Sequence, residues 1–242
     1  MARSRRIVYT LGYPRSGTTW FARLLGDALN SPVGGIVPAD DRGNLATEGH
    51  KRSGRFSIRH GHVVPMNGND ATIPNLLPVA NLTTERIMIM VRDPRDVTVS
   101  AAHYWDMDIE KALHCMGRGE GALEYFGAWS DWMHKWEHAP IAPEFVKYED
   151  LSKDTHGVMT ALLQNLQVKR PRYLRDIIQR QSIDERRKYT VTHGAFLNYG
   201  TANQLKHLRK GIVGDWENHF TPEHEQLAQS YFGDDMQRMG YA

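Results

Sequence analysis

Two stretches of the chain are mostly apolar without clear alternation, the pattern typical of central strands in a parallel sheet. They are RIVYTLGYP at residues 6–14 and ERIMIMVRD at residues 85–93. Two shorter stretches, RFSIRHGH at 55–62 and EFVKYEDL at 144–151, are predicted as further strands. Four strands are therefore predicted within the first 151 residues.

Helical periodicity appears between and after these strands. Residues 16–30 carry apolar side chains in a stripe of helical spacing, and Pro94 suits the first position of the next helix. Helices are predicted over 16–30, 94–105, 121–138, 152–166, 170–181 and 222–239, with a long loop at 31–53 and a weakly periodic stretch at 189–214. This alternation predicts an α/β fold with three layers, P-loop-like, in which helices flank a central, mostly parallel β-sheet. Nothing in 242 residues demands a second domain, so residues 1–242 are expected to form one domain.

The aromatic residues of 121–138 have two interpretations. Tyr125, Trp129, Trp132 and Trp136 recur at helical spacing. Core packing is favoured, and an aromatic binding surface is the alternative.

Composition narrows the function classes. The net charge is +2, from 30 basic and 28 acidic residues, which argues against a nucleic-acid partner. No segment approaches the roughly 20 apolar residues of a membrane span, and the short apolar run near the start lies where the first strand is expected. The single cysteine, Cys115, suits a reducing compartment. We expect a cytoplasmic protein with no membrane association.

The sequence YPRSGTTW, residues 13–20, links the first strand to the first helix. Free N–H groups of residues 16–19 at the helix start would converge on an anion, and Gly17 would permit close approach. Two threonine hydroxyls and the planar charge of Arg15 would add donors. The alternative is a plain turn, capped by Ser16, with Arg15 in solvent.

This loop lacks the Gly-Lys-Ser/Thr ending of a loop that binds a nucleoside triphosphate. Thr18 and Thr19 follow the second glycine instead. It is therefore predicted to hold one terminal phosphate, without an obvious magnesium ligand. A P-loop kinase acting on a small metabolite remains the alternative enzyme.

Two other segments have the features of anion sites. In RDPRDVTVSAAHYW, Arg92 ends a predicted strand, and Ser100 follows slightly more than two helical turns later. Near the end, residues 209–211 place two charges beside a glycine. The alternatives are an ion pair of Arg92 with Asp93 or Asp96, and a solvated charge pair at 209–210.

Together these segments resemble the cytosolic sulfotransferase family, which uses 3′-phosphoadenosine 5′-phosphosulfate (PAPS). YPRSGTTW is similar to the family's 5′-phosphosulfate loop, usually Tyr-Pro-Lys-Ser-Gly-Thr-Thr-Trp. RDPRDVTVS resembles its 3′-phosphate motif, RKGIVGDWENHFT its C-terminal signature, and KYEDL a segment at the equivalent point in the order. The four motifs run from Gly12 to Phe220 in the expected sequence.

The resemblance implies a role for each matching residue. The 5′-phosphosulfate would be held by Arg15, Ser16, Gly17, Thr18 and Thr19. Trp20 would pack on the adenine, whose pocket would also be lined by Tyr148 and Ser182. The 3′-phosphate would be held by Arg92, Ser100, Arg209, Lys210 and Gly211.

The resemblance also implies in-line sulfuryl transfer with a histidine general base. The family's base lies in a Lys-Thr-His-like segment after the second strand, which here reads SIRHGHVVP. His62 aligns with the base, and His60 is the alternative or a helper. Both could instead be surface residues or metal ligands, although no third ligand stands at persuasive spacing. No metal is expected.

Two departures from the family pattern bear on function. Arg15 replaces the usual lysine, and we expect it to stabilise the leaving 5′-phosphate. Residues 31–53 and 63–85 do not match the family's acceptor loops, so the acceptor does not carry over. The aromatic region 104–136 favours a small phenol, sterol-like or other hydroxylated acceptor, with an amine also possible. A homodimer is a family-level expectation, and a non-catalytic protein that binds PAPS or adenosine 3′,5′-bisphosphate is the alternative outside enzymes.

Overall fold

A computed structural model describes residues 6–35, 55–65, 76–77, 84–193, 205–206, 208 and 210–241. The strands are β1 (Arg6–Gly12), β2 (Val33–Gly35), β3 (Phe56–Gly61), β4 (Val64–Pro65), β5 (Leu76–Leu77), β6 (Thr84–Val91) and β7 (Glu144–Lys147). The helices are α1 (Thr18–Ala28), α2 (Pro94–Tyr104), α3 (Ile109–Arg118), α4 (Trp129–Glu137), α5 (Tyr148–Lys153), α6 (Thr155–Asn165), α7 (Leu174–Arg180), α8 (Ile183–His193) and α9 (Pro222–Met239). Short 3₁₀ turns span Gly121–Leu123 and Asp215–Asn218.

Five strands form one parallel sheet in the order β2-β3-β1-β6-β7, and β4 pairs with β5 separately. The fold prediction of a parallel sheet between helices is confirmed. Successive side chains of the central strands point to opposite faces. Val8 therefore packs with α1 and α6, whereas Tyr9 and Leu11 pack with the helices α3, α4 and α9. Burial on both faces explains why β1 and β6 read as continuous apolar runs.

The sheet brings the carboxyl ends of β1, β3 and β6 to one edge. Gly12 ends β1, His62 follows β3, and Arg92 follows β6. In parallel α/β sheets, ligands bind at such an edge. The segments singled out by the sequence therefore meet here.

Several element boundaries differ from the sequence prediction. The strand predicted at 144–151 ends at Lys147, because α5 begins at Tyr148 with two acidic residues in its first turn. The loop predicted at 31–53 contains β2, whose two glycines give no apolar signal, and residues 36–53 lie outside the described residues. Helix α3 has no counterpart in the sequence prediction, and α8 extends into the weakly periodic stretch at 189–214.

The helix predicted at 121–138 begins only at Trp129. Gly121 and Gly127 adopt positive φ angles of 57° and 75°, a backbone region that a helix cannot use. All three tryptophans of α4 are at most 1% exposed, so their interpretation as core is confirmed. Tyr125 is 54% exposed, and its assignment to the core is wrong.

Two of these tryptophans hold the segment that follows β3. Trp132 Nε1 donates to the His62 carbonyl at 3.4 Å, and Trp136 Nε1 donates to the Val63 carbonyl at 3.0 Å. A buried indole N–H requires such a partner. The buried tryptophans thus fix the backbone at His62 and Val63.

Among the described residues, no helix combines the length and apolarity needed to cross a membrane.

Candidate active site

The loop between β1 and α1 is a tight turn. Gly17 precedes the helix with a φ of 91° and no side-chain cap, and Arg15 also has a positive φ of 72°. A methyl group added at Gly12 would lie 2.7 Å from Thr18 Oγ1, and one at Gly17 would lie 2.7 Å from the Tyr148 ring. Neither glycine can carry a side chain without moving its neighbours.

Two hydroxyls at this turn lack hydrogen-bond partners within the described part of the chain. Ser16 Oγ and Thr18 Oγ1 are buried and make no hydrogen bond there. Burying an unpaired hydroxyl costs free energy, so such groups indicate a missing partner. Two donors at the start of a helix fit an anion such as a phosphate or sulfate.

One expectation about the loop is corrected. The N–H of Ser16 is not free, because it donates to the Tyr13 carbonyl at 3.2 Å and closes the turn. The alternative of a plain capped turn is also wrong, since the N-cap is Gly17 and Arg15 is half-buried. Ser16 therefore contributes through its hydroxyl.

Arg15 reaches from this loop to α2. Its Nε donates to Ser100 Oγ at 3.1 Å, and its guanidinium lies 4.5 Å from the centre of the Tyr104 ring. The sequence placed Arg15 and Ser100 at opposite ends of a nucleotide. In the structure the two side chains touch, so the predicted anion sites are neighbours.

Arg92 joins the loop to the C-terminal segment. Its Nη1 donates to the Arg15 carbonyl at 3.3 Å and its Nη2 to the Ile212 carbonyl at 3.1 Å. The guanidinium stacks 4.5 Å from the centre of the Tyr148 ring and lies 3.6 Å from Asp96. The predicted ion pair with Asp96 is therefore present.

The other predicted partner of Arg92 is engaged elsewhere. Asp93 pairs with Arg95 at 2.7 Å and caps α2 by accepting from the Arg95 N–H. The prediction that Arg92 pairs with Asp93 is therefore wrong. An aspartate at the N-cap stabilises the helix, which explains why Asp93 contacts Arg95 and not Arg92.

Tyr148 contacts four parts of the site: the loop at Gly17, helix α1, Arg92 and the C-terminal loop. Its hydroxyl donates to the Gly211 carbonyl at 2.9 Å, and its ring contacts Trp20 edge-on at 5.6 Å between centroids. Burial raises the pKa of Tyr148, so the phenol stays protonated and keeps donating. Two of the three residues predicted to contact adenine, Trp20 and Tyr148, therefore touch each other.

Asp96 holds the C-terminal loop, a role that the sequence analysis missed. One carboxylate oxygen accepts from the Gly214 N–H at 2.9 Å and the other from the Trp216 N–H at 3.0 Å. Burial raises the pKa of Asp96, and Arg92 opposes that shift. The only sequence signal was an acidic residue inside the motif that contains Arg92.

The remaining predicted residues fall into three cases. Lys210 is exposed and pairs with buried Asp215 at 3.2 Å, rather than forming a solvated charge pair. Ser182 Oγ accepts from the Glu185 N–H at 3.4 Å at the start of α8. Arg209 lies outside the described residues.

The segment of Ser182 nevertheless reaches the site. A methyl group added at Gly211 would lie 2.3 Å from Ile183 Cδ1, the residue after Ser182. Gly211 has a φ of 66°, which only glycine adopts easily.

The two histidines occupy the end of β3. His60 pairs in register with Thr10 of β1, and both imidazoles are half-buried. Burial lowers the pKa of His60 to about 4, and the proximity of His62 and Arg23, which disfavours a further positive charge, adds to the shift. Burial also lowers the pKa of His62, with a smaller contribution from Arg15. Both rings are therefore neutral at pH 7.

His62 has a defined tautomer. Its Nδ1 lies 2.7 Å from the Gly12 carbonyl oxygen, which can only accept a hydrogen bond. Nδ1 must carry the proton, so Nε2 presents a lone pair. The ring also contacts Phe126 edge-on, with centroids 5.8 Å apart. The geometry makes His62 Nε2 a proton acceptor beside an aromatic wall.

No group of three or more His, Cys, Asp or Glu side chains is arranged to hold a metal ion among the residues described.

Comparison with known proteins adds the family context. The model of the sulfotransferase domain matches residues 6–240. Human sulfotransferase 2A1 is 26% identical over 241 residues, covering 88% of this chain and 78% of that protein. The 3-beta-hydroxysteroid sulfotransferase of Cavia porcellus is 24% identical over 229 residues, covering 88% and 77%.

Solved structures share the fold. Mouse sulfotransferase SULT7A1 complexed with PAP superimposes with a TM-score of 0.71 at 20% identity, covering 97% of this chain and 84% of that one. Retinol dehydratase in complex with androsterone and inactive cofactor PAP gives a TM-score of 0.62 at 16% identity, covering 95% and 80%.

Proposed function

The chain belongs to the sulfotransferase family, and we propose that it transfers the sulfuryl group of PAPS to a hydroxyl or amine of a small molecule. Adenosine 3′,5′-bisphosphate (PAP) would be the second product. The observation that carries the proposal is the pair of buried hydroxyls of Ser16 and Thr18, next to Arg15 in the chain, which have no hydrogen-bond partner among the described residues. PAP in the mouse sulfotransferase and retinol dehydratase structures supports the same nucleotide here.

The residues fit the two charged ends of such a nucleotide. The hydroxyls of Ser16 and Thr18, with the start of α1, suit the 5′-phosphosulfate. Arg92 and Ser100 suit the 3′-phosphate, and the buried Arg92 Nε has no partner among the described residues. Buried donors without partners are what a bound anion would satisfy.

Further members of the site follow the family pattern. Gly17 and Thr19 would complete the 5′-phosphosulfate loop, while Trp20, Tyr148 and Ser182 would surround the adenine. Arg209, Lys210 and Gly211 would join Arg92 at the 3′-phosphate. Release of Lys210 from Asp215 would free its charge for that role.

His62 is proposed as the general base. The Gly12 carbonyl holds the proton on Nδ1, so Nε2 can take the proton of the acceptor hydroxyl. The lowered pKa of His62 keeps the ring neutral at pH 7 and ready to accept. His60 also has a lowered pKa, about 4, and remains the alternative or helper.

Arg15 is proposed to stabilise charge on the leaving group. In-line transfer leaves negative charge on the 5′-phosphate, and a fixed guanidinium can donate a charge-assisted hydrogen bond to it. Its contacts with Ser100 and Tyr104 limit its motion. Such preorganisation lowers the barrier more than a mobile charge would.

The acceptor is proposed to be small and largely apolar. Phe126 packs against the His62 ring, and exposed Tyr125 packs against Phe126 with centroids 5.8 Å apart. An apolar scaffold carrying one hydroxyl suits this wall. The names of the relatives point the same way, since they include a 3-beta-hydroxysteroid sulfotransferase.

Other expectations stay predictions: one domain over residues 1–242, a cytoplasmic location, catalysis without metal, absence of nucleic-acid partners, and a homodimer.

Binding of PAP tests the proposal. A ligand that binds only the folded state raises the melting temperature, so PAP should raise it without magnesium. Stabilisation by ATP with magnesium, and none by PAP, would favour the kinase alternative. Incubation with labelled PAPS and a panel of phenols, alcohols, amines and sugars then identifies the acceptor. PAP binding with no sulfated product across the panel would favour the non-catalytic alternative.

A further inference from the structure

The segment 239–241 lies against the elements that carry the 3′-phosphate residues. The phenol of Tyr241 donates to Glu149 Oε2 at 3.1 Å. The Tyr241 carbonyl accepts from the Arg95 guanidinium, and its ring centre lies 4.9 Å from the Lys147 ammonium. Tyr241 is therefore held at its backbone, ring and hydroxyl.

The two main partners of Tyr241 also hold the residue that follows Arg92. Glu149 uses its other oxygen to accept from the Asp93 N–H at 3.0 Å. Arg95 binds the Asp93 carboxylate through Nη2 at 2.7 Å and Nε at 3.0 Å. One connected network thus links Tyr241 to the turn at 92–93.

This network reaches the C-terminal loop as well. The Arg95 guanidinium stacks 4.0 Å from the centre of the Trp216 ring, and the Trp216 N–H donates to Asp96. Asp96 in turn lies 3.6 Å from Arg92. This network therefore reaches Arg92 at two points. One is the N–H group of Asp93, the next residue in the chain, and the other is Asp96, which pairs with the Arg92 guanidinium.

We propose that Tyr241 is a positioning residue for the 3′-phosphate, which acts through Glu149 and Arg95 to fix the turn at 92–93 and so aims the Arg92 guanidinium. The inference rests on the proposed function, because it assigns Arg92 to that phosphate. Loss of the phenol leaves a half-buried Glu149 oxygen without this donor, and the turn relaxes as that oxygen takes another partner.

Burial and the Glu149 charge raise the pKa of Tyr241 far above its ordinary value. The phenol therefore remains a donor throughout the pH range in which the protein would be assayed. The network does not depend on titration of Tyr241.

The test compares two nucleotides in the full chain. PAP carries the 3′-phosphate, and adenosine 5′-monophosphate lacks it. Tyr241→Phe should weaken PAP binding about 3- to 10-fold, as for a residue coupled through a contact network, and leave the Kd of the monophosphate unchanged. The KM for PAPS should rise by a similar factor, with kcat within about twofold.

Tyr231→Phe is the matched control. It removes another phenol from the same C-terminal region, one that contacts His114 Nδ1 at 2.8 Å, away from the site. The ratio of the two nucleotide Kd values should stay at its wild-type level in this variant. Glu149→Gln should lower the ratio of the Kd for adenosine 5′-monophosphate to the Kd for PAP, as Tyr241→Phe does, which gives a second variant if the first folds poorly.

The outcomes separate this inference from the proposed function. A lower melting temperature in Tyr241→Phe with an unchanged Kd ratio would show a structural role only and overturn the inference. Failure of the wild-type chain to bind PAP would overturn the proposed function and the inference together. A selective loss of PAP affinity in Tyr241→Phe and Glu149→Gln would support both.

Discussion

The Nε of Arg15 donates a hydrogen bond of 3.1 Å to Ser100 Oγ, which joins the loop after β1 to the helix after β6. A lysine at position 15 could not make this contact together with the stacking on Tyr104, because it lacks a planar fork. With arginine in place of the family's lysine, the side chain at position 15 both donates to Ser100 and stacks on Tyr104. The Arg15 guanidinium is thus positioned by two neighbouring side chains.

Arg15→Ala should lower kcat about 10²-fold, because a donor to the developing charge of the leaving group is lost. Steady-state kinetics with PAPS and an identified acceptor measure this. Arg15→Lys retains the charge without the fork and should give an intermediate kcat. An unchanged kcat in Arg15→Ala would remove the proposed role.

His62→Ala should lower kcat about 10²- to 10⁴-fold, the range of a lost general base. His60→Ala should lower it much less, since the proposed base remains in place. The two variants are compared at pH 7 with saturating PAPS. Activity retained in His62→Ala and lost in His60→Ala would reverse the assignment.

The pH profile checks the same assignment. Burial lowers the pKa of His62, so the base stays neutral at pH 7 and loses its lone pair only in more acidic solution. The acid limb of kcat/KM should therefore lie below about 6.5, the ordinary value for histidine. A limb at or above that value would contradict His62 as the base.

Gly17→Ala should destabilise the fold and weaken PAP binding. The new methyl group would lie 2.7 Å from the Tyr148 ring, at a φ of 91°. A non-glycine residue in this backbone region alone costs about 1–2 kcal/mol, and displacement of Tyr148 would disturb Arg92.

Gly127→Ala is the control for that substitution. It has a similar φ of 75°, but its methyl group would meet nothing within 4 Å. Both variants should lower the free energy of unfolding in urea, and only Gly17→Ala should raise the Kd for PAP. Equal Kd values in the two variants would show that the contact with Tyr148 is unimportant.

Asp96→Asn should loosen the C-terminal loop. An amide cannot accept at both positions, so the N–H group of either Gly214 or Trp216 would face another donor. The Kd for PAP, measured by calorimetry, should rise at least about 5-fold, in line with loss of a hydrogen bond to a charged group. Asp108→Asn makes the same chemical change at the exposed cap of α3 and should leave the Kd unchanged.

The sequence predicts the parallel sheet because its central strands are buried on both faces and read as apolar runs. It predicts Arg92 and the loop at 13–20 because anion sites need particular residue types at strand ends. It does not reveal β2, where Val33 is followed by two glycines, since pairing there depends on the backbone of β3. The β-propensity of the residues in a segment does not predict such non-local hydrogen bonds.

The candidate site is likewise only partly predictable from the sequence. The motifs identify the residues that could donate hydrogen bonds to an anion, whereas they do not identify the residues that hold those donors in place. The contact of Tyr241 with Glu149 joins residues 92 positions apart, and that of Asp96 with Trp216 joins residues 120 positions apart. Only the folded chain brings these pairs together.

The hydrogen bond from His62 to the Gly12 carbonyl has a consequence for how this enzyme can change. The acceptor is a main-chain oxygen, which every residue type possesses, so no substitution at position 12 deletes it chemically. The proton position on the proposed base is therefore set by the main chain, and a side chain at position 12 could change it only by shifting that main chain against Thr18. Phe126, in contrast, contacts the His62 ring through its side chain, so a substitution there would alter the proposed acceptor wall and leave this hydrogen bond in place.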